Sequence, residues 1–456
     1  LSLILALSLG AACAVQFTGT IDGGLLTGEY DASACNTPDG TISGELLQTP
    51  TLPDFVNFES GQVRPLALSP DGGLLFATNT PNNTLDIFSV QGGALAPLHS
   101  VPVGLEPVAV AAPTNDEVWV VNHLSDSVSV IDLTTSVPQV VRTLQVGDEP
   151  RDIVFAGGQN DRAFITAARR GQNTAYPLEE YRTPSLPRGD IWVFERESSE
   201  YAAGNPVTVI NLFGDVPRAL ATNADGSEVY AAIFMSGNQT TTVFNAPEVD
   251  AGKSAPDANV HGDTAPATGL IVKYDGESWL DEAGTDWSAR INLALPDYDV
   301  FTIDARASIP AEVSRVSGVG TTLFNMAYNP VRDALYVTNT EARNEVRFEG
   351  PGTISTTVRG HIADSRITVI NADASVQPVD LNPHVDYSLP QGEAISAQDK
   401  ALSLAQPVGI EVSPDGSRVY VAAMGSNKVA AIPANDLESD YLPDAQGQVE
   451  IPGGGP

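Results

Sequence analysis

Val103-Gly104-Leu105-Glu106-Pro107, then Val108-Ala109-Val110, then Trp119-Val120-Val121-Asn122 twelve residues after the proline, is the stretch that decides the architecture, because it recurs. Its opening returns as Val146-Gly147-Asp148-Glu149-Pro150 and Phe213-Gly214-Asp215-Val216-Pro217, and in shorter form at Arg64-Pro65 and Gln406-Pro407. Eleven to fourteen residues after each proline comes an aromatic residue heading an apolar run: Phe76-Ala77-Thr78-Asn79, Phe164-Ile165-Thr166-Ala167, Tyr230-Ala231-Ala232-Ile233 and Tyr420-Val421-Ala422-Ala423. Tyr336-Val337-Thr338-Asn339 is a further copy without the leading proline. Between proline and aromatic lie turns such as Ser69-Pro70-Asp71-Gly72 and Ser413-Pro414-Asp415-Gly416, with variants at Asn223-Ala224-Asp225-Gly226 and Asn329-Pro330. Proline presets φ for the first turn position and glycine accepts positive φ, so each is read as a hairpin. A third, alternating strand follows (Ser127-Val128-Ser129-Val130-Ile131, Asp190-Ile191-Trp192-Val193-Phe194, Arg366-Ile367-Thr368-Val369-Ile370), and a fourth apolar stretch leads to the next opening.

Four short strands in a unit of about 42 residues describe one blade of a β-propeller. A blade has two apolar faces that only neighbouring blades can cover, so the unit is stable only in an array. Six starts are visible. The expectation is an all-β propeller of four-stranded blades over residues 55–456, with insertions near 246–320 and 350–404. Leu270-Ile271-Val272-Lys273-Tyr274 and Asp299-Val300-Phe301-Thr302-Ile303, inside the first insertion, are expected to supply outer strands of the fourth blade. Val449-Glu450-Ile451-Pro452-Gly453-Gly454-Gly455-Pro456 reads as a strand and opening like the others, so a seventh blade is expected to be cut off there.

The copy Tyr336-Val337-Thr338-Asn339 and the V-G-x-x-P openings resemble the YVTN β-propeller repeat family, within the lactonase and quinoprotein-like superfamily. Phe55-Val56-Asn57-Phe58-Glu59, Asn122-His123-Leu124-Ser125-Asp126-Ser127 and Asn344-Glu345-Val346-Arg347-Phe348-Glu349-Gly350-Pro351 more closely resemble secreted bacterial proteins whose propeller precedes a cytochrome c peroxidase-like haem module. That resemblance implies haem downstream; no C-x-x-C-H haem-attachment motif occurs in this sequence.

The chain carries 57 acidic against 23 basic residues, a net charge of −34. Such a surface repels nucleic acid and anionic membrane, and argues instead for a solvated acidic exterior or for calcium as a bound cation. Residues 1–15, Leu1 to Val15, read as the apolar core and cleavage zone of a clipped signal peptide, with an N-terminal extension over 16–54. At Gly10-Ala11-Ala12-Cys13 two outcomes compete: lipidation of Cys13, which would give an outer-membrane anchor, or cleavage after Ala14. Either makes the protein exported: periplasmic, anchored or extracellular. Cys13 and Cys35 are the two cysteines and allow at most one disulfide.

Candidate ligand residues sit at the blade openings. Arg64, Glu106, Glu149, Arg151, Asp152 and Arg218 are expected to converge on one mouth of the central channel, where charges of both signs suit a small polar ligand. The structural alternative is ion pairs and strand caps around a solvated pore. Asn79, Asn122 and Asn339 close the second strand in three blades and are read as repeat residues. Of the histidines His99, His123, His261, His361 and His384, none forms a metal-binding spacing; His123, beside a repeat asparagine, is placed near the mouth. Neither a G-x-S-x-G elbow nor a P-loop occurs, and no catalytic residue is assigned. The leading expectation is a scaffold for a protein or small polar ligand. Its competitors are a lactone hydrolase or cofactor-dependent oxidoreductase working in the channel, and a cation-binding surface protein.

Overall fold

Alternation of apolar and small polar residues, cut every few positions by Asp-Gly or Asn turns, yields short antiparallel strands almost throughout. The computed structural model describes the backbone of strands between residues 2 and 45 and, in full, residues 61–168, 188–196, 204–243, 270–292, 297–345, 361–387 and 395–452. Two units result, Leu1–Glu59 and Ser60–Pro456. The first holds the strands Ser2–Ser8, Ala14–Asp22, Leu25–Asp31 and Gly40–Glu45, paired antiparallel in sequence order. Cys13, Cys35 and the Gly10 to Cys13 processing stretch lie outside the described residues.

Among the described residues the second unit is a β-propeller of six four-stranded antiparallel blades. Blade 1 comprises Leu66–Leu68, Leu74–Asn79, Thr84–Gln91 and Ala94–Pro102; blade 2 comprises Pro107–Ala111, Glu117–Asn122, Ser127–Asp132 and Gln139–Gln145. Blade 3 is Ile153–Ala156, Arg162–Ala168, Gly189–Glu195 and Thr208–Leu212; blade 4 is Pro217–Thr222, Glu228–Ile233, Val300–Asp304 and Ala311–Val316. Blade 5 is Thr322–Asn329, Ala334–Ala342, Ala363–Asn371 and Val376–Asp380; blade 6 is Pro407–Val412, Arg418–Ala423, Lys428–Pro433 and Gln448–Glu450. First strands of successive blades pack on one another and form the inner ring. Val449, at the end of the chain, pairs with Val429 as part of the outer strand of blade 6, the place the strand before every other opening occupies.

The insertions are narrower than the sequence suggested. Val300–Asp304 pairs with Glu228–Ile233 and is the third strand of blade 4, as expected. Leu270–Tyr274 is not a blade strand: it forms a separate three-stranded sheet with Thr240–Val243 and Trp279–Leu280. Its own small core of Val243, Leu270, Val272 and Trp287 explains the difference, because alternation alone does not say which neighbour a strand will face. Ala363–Asn371 holds the third strand expected at Arg366 to Ile370, and with Val376–Asp380, which also falls within the second expected insertion, it completes blade 5. The acidic stretch Glu248 to Ala267 lies outside the described residues.

Blades 1, 2, 3 and 5 bury their second-strand aromatic against the next blade. Phe76 packs with Val110, Val118 and Ile131 of blade 2; Trp119 with Ile153 and Ile165 of blade 3; Phe164 with Leu220 and Phe301 of blade 4; Tyr336 with Ile410 and Val421 of blade 6. With the seam between blades 4 and 5, this makes five inter-blade cores for six blades. The remaining two faces are uncovered among the described residues. On blade 1 they leave Leu66 and Leu68 exposed by 55% and 57%; on blade 6 Tyr420 and Val449 are exposed.

The repeat signature has a steric cause. A Cβ on Gly104 would come within 2.6 Å of the Asn122 side chain, and one on Gly320 within 2.4 Å of Asn339. In blades 2 and 5 the glycine before the first strand is thus the surface on which the asparagine of the second strand lies. Asn122 donates to Ser127 and Ser129, and Asn339 to Thr368, so these asparagines tie second strand to third, the repeat role read from the sequence. Glu106, Glu149, Val216 and Gln406, each just before the opening proline, take left-handed φ of 50–56°. A non-glycine residue there is held against its own preference by the surrounding contacts.

Candidate functional site

Residues near four blade openings meet: Arg64 just before Pro65, Asp152 two residues after Pro150, Leu220 three after Pro217, and Asn325 in the first strand of blade 5. Asp152 of blade 3 is fully buried. It accepts from Arg64 at 3.2 and 3.3 Å, from the Leu220 amide at 2.8 Å and from its neighbour's amide at Ile153 at 2.9 Å. Arg64 also donates to the Leu220 carbonyl at 2.7 Å and to Asn325 at 3.4 Å, while Asn325 donates to the Val63 carbonyl at 2.9 Å. Burial works against the Arg64 charge, but Asp152 outweighs it and the guanidinium pKa is raised. One side chain from blade 1 therefore reaches blades 3, 4 and 5 and bridges the channel. Removing one member of such a buried pair costs about 3–5 kcal/mol, because the other charge is left unpaired. Arg64 and Asp152 thus form a structural clasp, the alternative reading of the sequence. Leu220 and Asn325 were not singled out from the sequence; Asn325 lies in the blade without an opening proline, so no motif marked it.

Above the clasp a second group gathers. Arg151 donates to the carboxylate of Glu149 at 3.0 Å and to its backbone carbonyl at 3.0 Å. Arg218, largely buried, donates to the carbonyls of Phe324, Gly61 and Gln62 and lies 4.9 Å above the Phe234 ring. Burial, reinforced by the like charge of Arg151, lowers its pKa to about 10. His123, 1% exposed, hydrogen-bonds through Nδ1 to the Pro150 carbonyl at 3.1 Å, which fixes Nδ1 as the donor. Its Nε2 is buried and has no hydrogen-bond partner among the described residues. Burial first, then Arg151, lowers the His123 pKa, so the imidazole is neutral at neutral pH and Nε2 offers a lone pair. Glu106 and Glu149 both act electrostatically on it.

His123 stands where blade 1 has Thr80, whose hydroxyl donates to the Pro107 carbonyl at 2.7 Å. Both side chains clasp the opening of the next blade, and only the histidine has an atom left over. Of the seven residues expected at the mouth, the structure thus joins Arg64 with Asp152 and groups His123, Arg151, Glu149 and Glu106, with Arg218 beside Arg151. Below Arg64 the channel widens into a cavity of about 510 Å³ walled by Val110, Ile153, Leu220 and Met326, with Glu411 at its side.

The other histidines lie apart. His99 is exposed on the outer strand of blade 1. His361 pairs with Asp364 and stacks on Tyr387, and His384 bonds the Asp399 carbonyl at 2.9 Å. His261 lies outside the described residues. Among the described residues no three His, Cys, Asp or Glu side chains are placed to hold a metal ion, and no helix is long and apolar enough to cross a membrane.

No family model matches this chain, and none of the curated proteins does. Solved structures do. Hydrazine synthase of Kuenenia stuttgartiensis is similar over 87% of this chain and 82% of its own, at 16% identity and a TM-score of 0.53. The periplasmic gluconolactonase of Pseudomonas aeruginosa aligns over 100% of this chain and 97% of its own, at 13% identity and a TM-score of 0.46. The first likeness shows the propeller fold and leaves the activity open.

Proposed function

We propose that this propeller is an exported binding scaffold whose ligand, small and polar, sits at the channel mouth between blades 2 and 3. The observation that carries this reading is the buried, unpartnered Nε2 of His123 beside the Arg151–Glu149 pair. Buried polar atoms are nearly always paired, and one left over is where an incoming donor gains most. A hydroxy acid or amide suits the group: its O–H or N–H donates to Nε2 and its carbonyl accepts from Arg151. The site contributes no nucleophile, which favours holding over turnover.

The experiment pairs the unmodified protein with His123→Thr. Threonine reproduces the Thr80 clasp to the carbonyl of the next blade while deleting the acceptor. A panel of small hydroxy acids, their amides and lactones is screened by thermal shift, with lactone hydrolysis followed in a pH-stat. Stabilisation by an acid or amide that vanishes in His123→Thr supports the scaffold. Equal stabilisation of both proteins, or silence across the panel, refutes the site. Protein-dependent lactone hydrolysis would replace the scaffold with the hydrolase alternative.

A further inference from the structure

The repeat departs from its own pattern at one seam. In blades 1, 2, 3 and 5 the second-strand aromatic is fully buried and faces an aliphatic residue on the third strand: Phe76 opposite Ile87, Trp119 opposite Val130, Phe164 opposite Val193, Tyr336 opposite Val369. In blade 4 the same row reads Tyr230, Thr302, Ser314 across three strands, and Tyr230 and Thr302 are only half-buried. Blade 5 presents Tyr328, Leu335 and Ile370 as the facing row. Thr302 stands where the other formed seams have Ile or Val, and Ser314 where they have His99, Arg142, Thr208 and Gln377; between blades 4 and 5 lies a cavity of about 390 Å³, within the range of small-molecule sites.

Its lining has a definite chemistry. The Tyr230 and Tyr328 rings lie 6.1 Å apart and 16° from parallel. Tyr230 donates to Glu228 at 2.7 Å and Tyr328 donates to Asp333, which fixes both rings. The second carboxylate oxygens, Oε1 of Glu228 and Oδ2 of Asp333, make no hydrogen bond among the described residues, nor do the hydroxyls of Thr302 and Ser314. The cleft thus combines a flat aromatic platform, two acceptors and two hydroxyls that both donate and accept. Near-parallel rings make a platform for a ring-shaped ligand; an ammonium ion would need faces turned to a common centre. Two carboxylates disfavour an anion. We infer that the seam between blades 4 and 5 is a second binding site, for a neutral, hydroxyl-rich ring of monosaccharide size whose C–H face lies on the tyrosines.

The inference is independent of the channel site. The test uses the whole chain with methyl β-D-glucopyranoside, methyl β-D-galactopyranoside and methyl α-D-mannopyranoside, read by saturation-transfer NMR and calorimetry. Thr302→Val/Ser314→Leu, which removes both hydroxyls and fills the cleft with a larger apolar side chain, is the variant; its melting temperature reports that it still folds. At least one glycoside is expected to bind, and the double variant to weaken it about tenfold or more. The inference falls if none of the three binds, if binding is unchanged in the double variant, or if tetramethylammonium alone occupies the cleft. Should the double variant fail to fold, Tyr328→Ala is measured instead, with the same expected loss.

Discussion

Single residues in this molecule are best understood by what their burial demands. Asp299, at the start of the third strand of blade 4, is 1% exposed and accepts from Ser236, from the Val319 amide at 2.5 Å and from the Gly320 amide at 3.3 Å. It ties blade 4 to the opening of blade 5. Burial, with Asp297 nearby, outweighs those bonds and raises its pKa to about 7. The sign follows directly: the native state holds a proton that the unfolded chain gives up near pH 4, so stability is greatest at acid pH and falls as pH rises from about 4 to 7. The full effect is on the order of 4 kcal/mol. Asp299→Asn keeps acceptors for both amides and a donor for Ser236 but has no proton to lose. Denaturant melts from pH 4 to 8 should show the wild type losing stability relative to the variant across that window; parallel profiles would overturn the assignment. No motif marks this carboxylate, because its donors lie 20 to 63 residues away. Arg64 and Asp152 were identified from their place after or before a proline, whereas their use as a clasp depended on partners up to 261 residues distant.

At the scale of strands and blades the sequence was far more legible, since features recur: an aromatic on the second strand, a proline after a left-handed residue, and in blades 2 and 5 a glycine under an asparagine. What it could not say was which insertion strand a blade would adopt, and the small sheet around Trp287 shows why, since a local core can outbid a blade for an apolar strand. Burial splits blade 1 into two faces of opposite character. Leu85 is fully buried against blade 2, while Leu68 on the other face is 57% exposed. Leu85→Ala should cost about 2–5 kcal/mol and Leu68→Ala within about 0.5 kcal/mol. Equilibrium unfolding of the two variants side by side measures this. A comparable loss for Leu68→Ala would mean that the outer face of blade 1 is covered in solution.

Across the whole molecule the governing quantity is charge. A net charge of −34 makes the folded chain repel itself, and the clasp of Arg64 and Asp152 holds four blades together against that strain. Screening should therefore stabilise the propeller: from about 10 mM to about 150 mM KCl the Debye length shortens from about 30 to about 8 Å, and the melting temperature should climb. Calcium separates two explanations of the same acidic surface. If the carboxylates are a solvated exterior, CaCl2 and MgCl2 at equal ionic strength give coincident melting curves that add nothing specific to KCl. A specific calcium site instead adds stabilisation that saturates, about 2.7 kcal/mol at one hundred times its dissociation constant, and that magnesium does not reproduce. The described residues contain no cluster of three metal-binding side chains, so among them screening is the expected mechanism. A saturable, calcium-selective shift would place the site in ligands assembled with residues beyond those described, and would turn the acidity of this chain from a property of its surface into a property of a site.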